Sequence, residues 1–369
     1  MATKNEQFST DLENVFISDE SCFQRGGNRL QILSKEHPNI RISKFPVKVM
    51  DCGARSRRMS PFCIVQGNVD SSNYCNILNG YLFETDNARR HSSGGEGSER
   101  KMEMDPACKT ALITGGDTGI GFAMASHLLK ANAKHVVITG TNTCHGREAV
   151  HKLNSAFGKN KATFIGANVT CMVQFEETFK TAQERHKHID IFVNSAGVLD
   201  GKHWEREVVT NLVGTIRGTL LAFRYIGREG SGRGGVVVNL CGMQALQPLY
   251  GAPTFSATQS GILGLSRSFG HPYHNQKSGV RVLQLVTGFT QTDFIKGMDR
   301  KGMTPQLSQE LVQIVSKAKK QNAEACGQAL VHVIRCGANG SVWVIEGSRL
   351  FELTIPNWDS YRKLAAQYI

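Results

Sequence analysis

Eight residues, Thr114-Gly-Gly-Asp-Thr-Gly-Ile-Gly121, carry the clearest chemical signal in the chain. Glycines at 115, 119 and 121 let the backbone turn sharply and approach a pyrophosphate, whose charge then meets the N-terminus of the following helix. A second set of residues is of a type that moves protons: Tyr250, Tyr273, Lys277, Cys241 and Ser256. A phenol is a poor base at neutral pH unless a nearby cation lowers its pKa. Tyr273 and Lys277 stand four residues apart, but they sit in the connection after Gly270-His-Pro272, where the proline argues against a helix. That string is read as a coincidence. Cys241 has no cationic neighbour in sequence and is read as a structural thiol, and Ser256 as a helix-start residue.

These groups need a scaffold, and from Lys109 onward the sequence supplies one. Apolar runs at 110–114, 135–139, 162–167, 189–193, 235–240, 280–286 and 341–346 read as strands. Between them, amphipathic stretches at 119–130, 146–157, 173–185, 207–226, 255–269 and 323–336 read as helices. Strands alternating with helices predict βαβ units, and runs such as Val236-Val-Val238 suit strands buried on both faces. The expected fold is α/β: a Rossmann-type, doubly wound parallel sheet. The glycine turn falls between its first strand and first helix, the context that gives such a motif meaning.

At this point the chain resembles the short-chain dehydrogenase/reductase family. The resemblance rests on Thr114-Gly-Gly-Asp-Thr-Gly-Ile-Gly121, Asn168-Val-Thr, Asn194-Ser-Ala-Gly197, Asn211 in Thr-Asn-Leu-Val-Gly, and Thr287-Gly-Phe-Thr-Gln-Thr292. Within the family the texture is most similar to insect-type alcohol dehydrogenases and 15-hydroxyprostaglandin dehydrogenases, with the tail Asn-Gly-Ser-Val-Trp-Val-Ile-Glu346 adding to it. The resemblance implies a nicotinamide dinucleotide cofactor, NAD or NADP. It implies cofactor contacts from Gly115, Gly119, Ile120, Gly121, Gly140, Asn168, Val169, Asn194, Ala196, Gly197, Thr290 and Thr292. Asn168 takes the place of an Asp that meets the adenine, and its side-chain carbonyl is able to accept the same bond. The end of the second strand departs from the pattern: Gly140, followed by Thr141, stands where an acid would chelate the ribose hydroxyls of NAD, and Arg147 is several residues on. Cofactor preference is left open.

The catalytic positions depart further. Aligning Ser256-Ala-Thr-Gln-Ser-Gly-Ile-Leu-Gly with the family pattern puts Phe255 at the Tyr position, Gln259 at the Lys and Gly242 at the Ser; only Asn211 is retained. Phe carries no exchangeable proton, Gln no charge and Gly no side chain, so three functions are missing together. Three readings follow. In the first, the protein keeps a dinucleotide pocket and is catalytically impaired, acting as a nucleotide-sensing, scaffolding or binding protein. In the second, it is an active NAD(P)-dependent oxidoreductase of secondary alcohols and ketones that uses a substitute such as Tyr250. In the third, it binds a small apolar ligand, with segment 349–369 as a lid carrying Phe351, Trp358 and Tyr361.

Composition bounds the remainder. With 369 residues, 40% hydrophobic and 20% charged, the chain is too apolar for general disorder and lacks the long runs of a polytopic membrane protein. Residues 1–105 hold 14 basic and 14 acidic side chains and residues 106–369 hold 29 and 17, so the whole charge of +12 lies in the second part. The bases are dispersed, with Lys317, Lys319 and Lys320 on an expected helix as the densest group, which predicts a solvated surface and no nucleic-acid or membrane partner. Ten cysteines show no CxxC or metal-finger spacing, and the first twenty residues have no apolar signal core. No metal, reduced thiols and a cytoplasmic setting are expected, so the sequons at Asn168 and Asn339 are read as coincidences. Residues 1–103 are expected to form a poorly ordered extension ending in the Gly/Ser-rich linker 89–101, with short strands at most at 45–50 and 62–66. Met102 and Met104 stand where the folded pattern begins, which predicts a translation start there. Residues 104–369 form the dehydrogenase-like domain, with dimers or tetramers expected through the long helices ending near Ile226 and Phe269.

Overall fold

Thr110–Thr114 (β3) is buried at all five positions and lies inside a sheet, as its uninterrupted apolar character requires. This is seen in a computed structural model that describes residues 22–26, 29–33 and 102–365. The chain divides into two units, Met1–Glu99 and Arg100–Ile369. In the first, Cys22–Gly26 (β1) pairs antiparallel with Arg29–Leu33 (β2), a pairing not anticipated from the sequence. The strands expected at 45–50 and 62–66, the poor order and the linker at 89–101 lie outside the described residues.

The second unit continues with His135–Gly140 (β4), Ala162–Gly166 (β5), Ile191–Asn194 (β6), Gly235–Gly242 (β7), Val280–Thr287 (β8), Val342–Glu346 (β9) and Arg349–Leu353 (β10). The sheet order is β10-β9-β8-β7-β6-β3-β4-β5. Every pairing is parallel except β9–β10. The chain runs outward from β3 through β4 to β5, then crosses to β6 on the other side of β3 and proceeds to the far edge. This is the doubly wound α/β topology that the alternation predicts, and it opens a crevice at the switch between β3 and β6.

The helices are Gly119–Lys130 (α1), Thr143–Phe157 (α2), Met172–His186 (α3), Trp204–Val208 (α4), Gly214–Ile226 (α5), Pro253–Phe269 (α6), Pro272–Ser278 (α7), Pro305–Lys317 (α8), Ala323–Cys336 (α9) and Trp358–Ala365 (α10). Side chains alternate along β3. Ala111 and Ile113 join Met124 and Leu128 of α1 and Leu330 and Val333 of α9 on one face. Leu112 joins Phe175 and Phe179 of α3 and Leu221 and Ile226 of α5 on the other. Two apolar layers thus clamp the sheet, each supplied by the two-residue period of the strands.

Four local expectations need correction. The helix expected at 207–226 is interrupted by a π-turn, Val209–Val213, between α4 and α5. Pro272 does not prevent a helix; it occupies the first turn of α7, where its missing N–H costs nothing, while His271 Nδ1 accepts the Tyr273 N–H at 3.2 Å. Helix α2 starts at Thr143 instead of 146, because Asn142 Oδ1 accepts the N–H groups of Cys144 and His145 at 3.0 and 3.1 Å. Of the three clustered lysines only Lys317 is helical, ending α8. Among the described residues, no helix is long and apolar enough to cross a membrane.

Candidate functional site

At the C-terminal end of the parallel strands the crevice deepens into a cavity of about 820 Å³. The Thr114 hydroxyl fixes its floor. Its Oγ1 accepts the N–H groups of Ser195 and Ala196, both at 3.0 Å, and so ties the loop after β6 to the end of β3 at the switch point. Gly115 and Gly119 turn the chain with φ of +62° and +55°, in the left-handed region where a side chain is strained. A Cβ on Gly121 would overlap the carbonyl oxygen of Gly115, and one on Gly119 would meet Thr292 Cγ2 at 3.4 Å. These glycines therefore leave a cradle that side chains would fill, at the N-terminus of α1.

Gly115, Gly119, Ile120, Gly121, Gly140, Asn168, Val169, Ala196, Gly197, Thr290 and Thr292 all line the cavity. Asn194 does not. Its Nδ2 donates to Asn239 Oδ1 at 2.7 Å, and to Thr215 O and Thr219 Oγ1 at 3.3 Å, inside the protein. Its side chain braces β6, β7 and α5 in the sheet interior, the supporting role at the strand end that was expected of this stretch. Thr290 lines the wall, yet its hydroxyl donates inward to Gly288 O at 2.9 Å. Asn168 Oδ1 accepts the Thr170 N–H at 3.0 Å, which leaves the carbonyl one further lone pair.

Gly242, Phe255 and Gln259, expected at the family's Ser, Tyr and Lys positions, all line the cavity. Gln259 is 5% exposed, and its Oε1 accepts the Gly242 N–H at 2.8 Å while its Nε2 donates to Thr258 Oγ1 at 3.0 Å. The Phe255 ring centroid lies 5.9 Å from that of Phe294, in an apolar cluster with Leu199, Met298 and Leu311. A Cβ on Gly242 would run into Gln244 Oε1, the far end of a flexible side chain. Asn211 sits within the π-turn. Its Oδ1 accepts the Val198 N–H and its Nδ2 donates to Val198 O, both at 2.8 Å, which pins the loop after β6. Unwinding one turn of helix is what lets this side chain face that loop.

Among the described residues, no Tyr, Lys or His belongs to the lining of this cavity. Tyr250 is 65% exposed and donates to Glu310 Oε2 at 2.8 Å, away from the cavity; accepting that bond, the carboxylate holds the phenol above its ordinary pKa. Tyr273 and Lys277 bond each other at 2.7 Å on the exposed face of α7, also outside the cavity. Cys241 does reach the wall, but burial pushes its thiol well above the usual range, the opposite of an activated nucleophile. Ser256 donates to Ala252 O at 3.0 Å on the first turn of α6. Glu207, fully buried nearby, accepts Asp200 N at 2.7 Å and the Thr254 hydroxyl at 2.8 Å, and burial raises its carboxyl pKa; it anchors a loop and does not line the cavity.

The expected lid also requires correction. Arg349–Leu353 pairs with β9 as an edge strand, Phe351 packs on the cluster of Val342 and Val344, and Trp358 is 67% exposed. Neither aromatic lines the cavity, and the Tyr361 side chain lies outside the described residues.

Sequence reasoning passed over several cavity residues, among them Arg206, Phe294, Met298 and Asp117, of which the last bears on the cofactor. Asp117, a spacer in the glycine motif, places its carboxylate beside Gly140, where a Cβ would stand 2.5 Å from Oδ1 and 3.0 Å from Oδ2. Desolvation raises its pKa, opposed by its own backbone N–H and by His145. The available signal was an acid inside the motif paired with a glycine at the position where an acid is usual.

Residues 109–302 match the family model described as short chain dehydrogenase. Fat body protein 2 of Drosophila melanogaster is 29% identical over 246 residues, covering 67% of this chain and 95% of that protein. The 15-hydroxyprostaglandin dehydrogenase [NAD(+)] of Rattus norvegicus is 31% identical over 245 residues, covering 65% and 92%. Among solved structures, a dehydrogenase/reductase from Sinorhizobium meliloti 1021 superposes with a TM-score of 0.54 at 21% identity, covering 66% of this chain and 95% of that one, a likeness of fold.

Proposed function

Because this chain belongs to the short-chain dehydrogenase family, we propose that it holds a nicotinamide dinucleotide, NAD or NADP, in the glycine cradle and has little or no capacity to oxidise alcohols. Gly115, Gly119, Gly121 and the helix N-terminus behind them would take the pyrophosphate, and Asn168 and Val169 the adenine end. A bound nicotinamide would supply hydride chemistry to a neighbouring carbon. The chain's own residues decide whether an alcohol proton has anywhere to go.

One observation carries the reading: Phe255, Gln259 and Gly242, at the positions that the resemblance gives to Tyr, Lys and Ser, line the cavity, and among the described residues no Tyr, Lys or His does. Loss of a single general acid or base costs about 10²–10⁴ in rate. Here the Gln259 amide is committed to Gly242 and Thr258, and the Phe255 ring excludes water without exchanging a proton. The exposed, Glu310-bonded Tyr250 gives no support to a substitute base. The apolar wall of Phe255, Phe294, Met298 and Leu311 favours a second role, retention of a small apolar ligand without the lid first expected.

The domain reading, an extension over 1–103 followed by a dehydrogenase-like domain over 104–369, belongs to this proposal, and the division of the chain after Glu99 supports it. So does a reducing, cytoplasmic setting, supported by six free cysteines among the described residues. Self-association through α5 and α6 is also proposed, supported by Leu220 of α5 at 51% exposure.

Isothermal calorimetry with NAD⁺ and NADP⁺, alongside a spectrophotometric assay on secondary alcohols and ketones, tests the central reading. Binding without turnover is expected. Turnover on the ordinary enzyme scale of about 1–10³ s⁻¹ would reject it.

A further inference from the structure

Asp117 and Gly140 occupy one place between them. In dinucleotide-binding folds the acid that receives the adenosine ribose hydroxyls ordinarily stands at the end of the second strand, roughly 20 residues beyond the glycine motif. That position here is Gly140, and the space its Cβ would take is filled by the carboxylate of Asp117, 2.5 Å from Oδ1, 2.8 Å from Cγ and 3.0 Å from Oδ2. Both residues line the cavity. Among the described residues, no side chain donates a hydrogen bond to Asp117, so its oxygens keep acceptor sites for a ligand.

The cations nearby do not offset this charge in favour of another anion. Lys152 is bonded to Glu148 at 2.7 Å, and just outside Lys296 is bonded to Asp293 at 2.5 Å; among the described residues, His145 is the remaining basic side chain in the adjoining depression lined by Asp117, Glu148 and Asp293. A dianionic phosphate on the ribose would meet a carboxylate at short range, whereas a pair of hydroxyls would find acceptors.

We propose that Asp117 is the specificity-determining residue of the dinucleotide pocket: from within the glycine turn it accepts the adenosine ribose diol and repels a 2′-phosphate, so the pocket selects NAD over NADP. The acid of the second strand has been replaced by one reaching the same place from the first βα turn, and Gly140 is the complementary change that makes room. This rests on the dinucleotide reading above and deepens it; it concerns binding and is independent of whether turnover occurs.

The test is calorimetric titration of the full chain with NAD⁺ and NADP⁺ under matched buffer and salt, since both contacts are electrostatic. Wild-type protein is expected to prefer NAD⁺ by about tenfold or more, the scale of one lost charged hydrogen bond. Asp117→Asn keeps the shape and removes the charge, and is expected to bring the two affinities within about threefold of each other. The exchange variant Asp117→Gly with Gly140→Asp returns the acid to the strand end and is expected to restore the preference, with thermal unfolding confirming that each variant is folded. Wild-type preference for NADP⁺, equal affinities, or an Asp117→Asn variant that keeps the full preference for NAD⁺ would each overturn the assignment while leaving the dinucleotide pocket intact. Failure of both dinucleotides to bind the wild-type chain would instead overturn the pocket reading and this assignment with it.

Discussion

The side-chain carbonyl of Gln259 accepts the backbone N–H of Gly242 at 2.8 Å. Two of the three positions that the proposed function rests on, 17 residues apart, therefore hold each other: the amide on α6 caps the end of β7. The changes at 242 and 259 form one packed unit in which the glycine gives the amide access and the amide satisfies the glycine's donor.

Gln259→Lys alone is thus expected to destabilise. It removes the acceptor from a half-buried N–H and places an ammonium group at a site 5% exposed, at a cost of about 1–3 kcal/mol, read as a lowered melting temperature. The triple variant Gly242→Ser, Phe255→Tyr, Gln259→Lys is expected to raise NAD(P)-linked oxidation of a secondary alcohol by about 100-fold or more over the wild-type chain. An unchanged rate in a folded, cofactor-binding triple variant would show that these positions do not limit the chemistry.

Gly121→Ala addresses the cradle. Its methyl group would overlap the Gly115 carbonyl oxygen, so the turn must open before α1 can start. Dinucleotide affinity is expected to fall by about tenfold or more, a loss of at least about 1.4 kcal/mol by calorimetry. Binding at wild-type affinity would mean that the cofactor does not use this turn.

Asn239 is the hub of the buried polar brace. Its Oδ1 accepts Asn194 Nδ2 at 2.7 Å, its Nδ2 donates to Ser266 Oγ at 2.9 Å, and its backbone oxygen accepts Gln284 Nε2 at 2.8 Å. Asn239→Leu leaves Asn194 and Ser266 with fewer partners in a dry interior and is expected to cost about 1–3 kcal/mol in denaturant unfolding. An unaltered midpoint would show that the network contributes no net stability.

Stability should also fall on acidification. His135 is buried and stacked on His186 at 4.0 Å; its Nδ1–H donates to Asn160 O at 2.9 Å and its Nε2 accepts the Thr163 hydroxyl at 3.0 Å, the arrangement of a neutral ring. Desolvation, His186, Lys134 and Lys161 lower its pKa from 6.5 to about 4, against the Asn160 carbonyl. The unfolded chain therefore binds more protons than the folded one between these values, and the contribution is complete above 6.5 and is lost as pH falls toward 4. Denaturant midpoints across this window are expected to decline less steeply in His135→Gln than in the wild-type chain.

The sequence by itself determined the doubly wound core. β3 and the helices α1 and α9 have the boundaries that their apolar periods and end residues predict, because strand alternation, helical spacing and the glycine turn are encoded within a dozen neighbouring residues. The glycine turn was legible for the same reason: it is fixed by a short motif between two regular elements. Helix α8 was only partly read, although Thr304 caps it and Leu311 and Val315 fall on one face, because nothing local marks where Leu311 packs.

Tertiary structure decided what depends on partners far along the chain. Asn194 leaves the cavity because Asn239, 45 residues away, receives its amide. The π-turn at Asn211 forms where that side chain pairs with the Val198 backbone, and Arg349–Leu353 becomes an edge strand because β9 offers an open ladder. Asp117 comes to face Gly140 only because parallel pairing of β3 and β4 brings the two strand ends together. Residue type and local period say which groups are present; the meeting of atoms across long loops is set by the packing of the whole sheet, and no short window of sequence contains it.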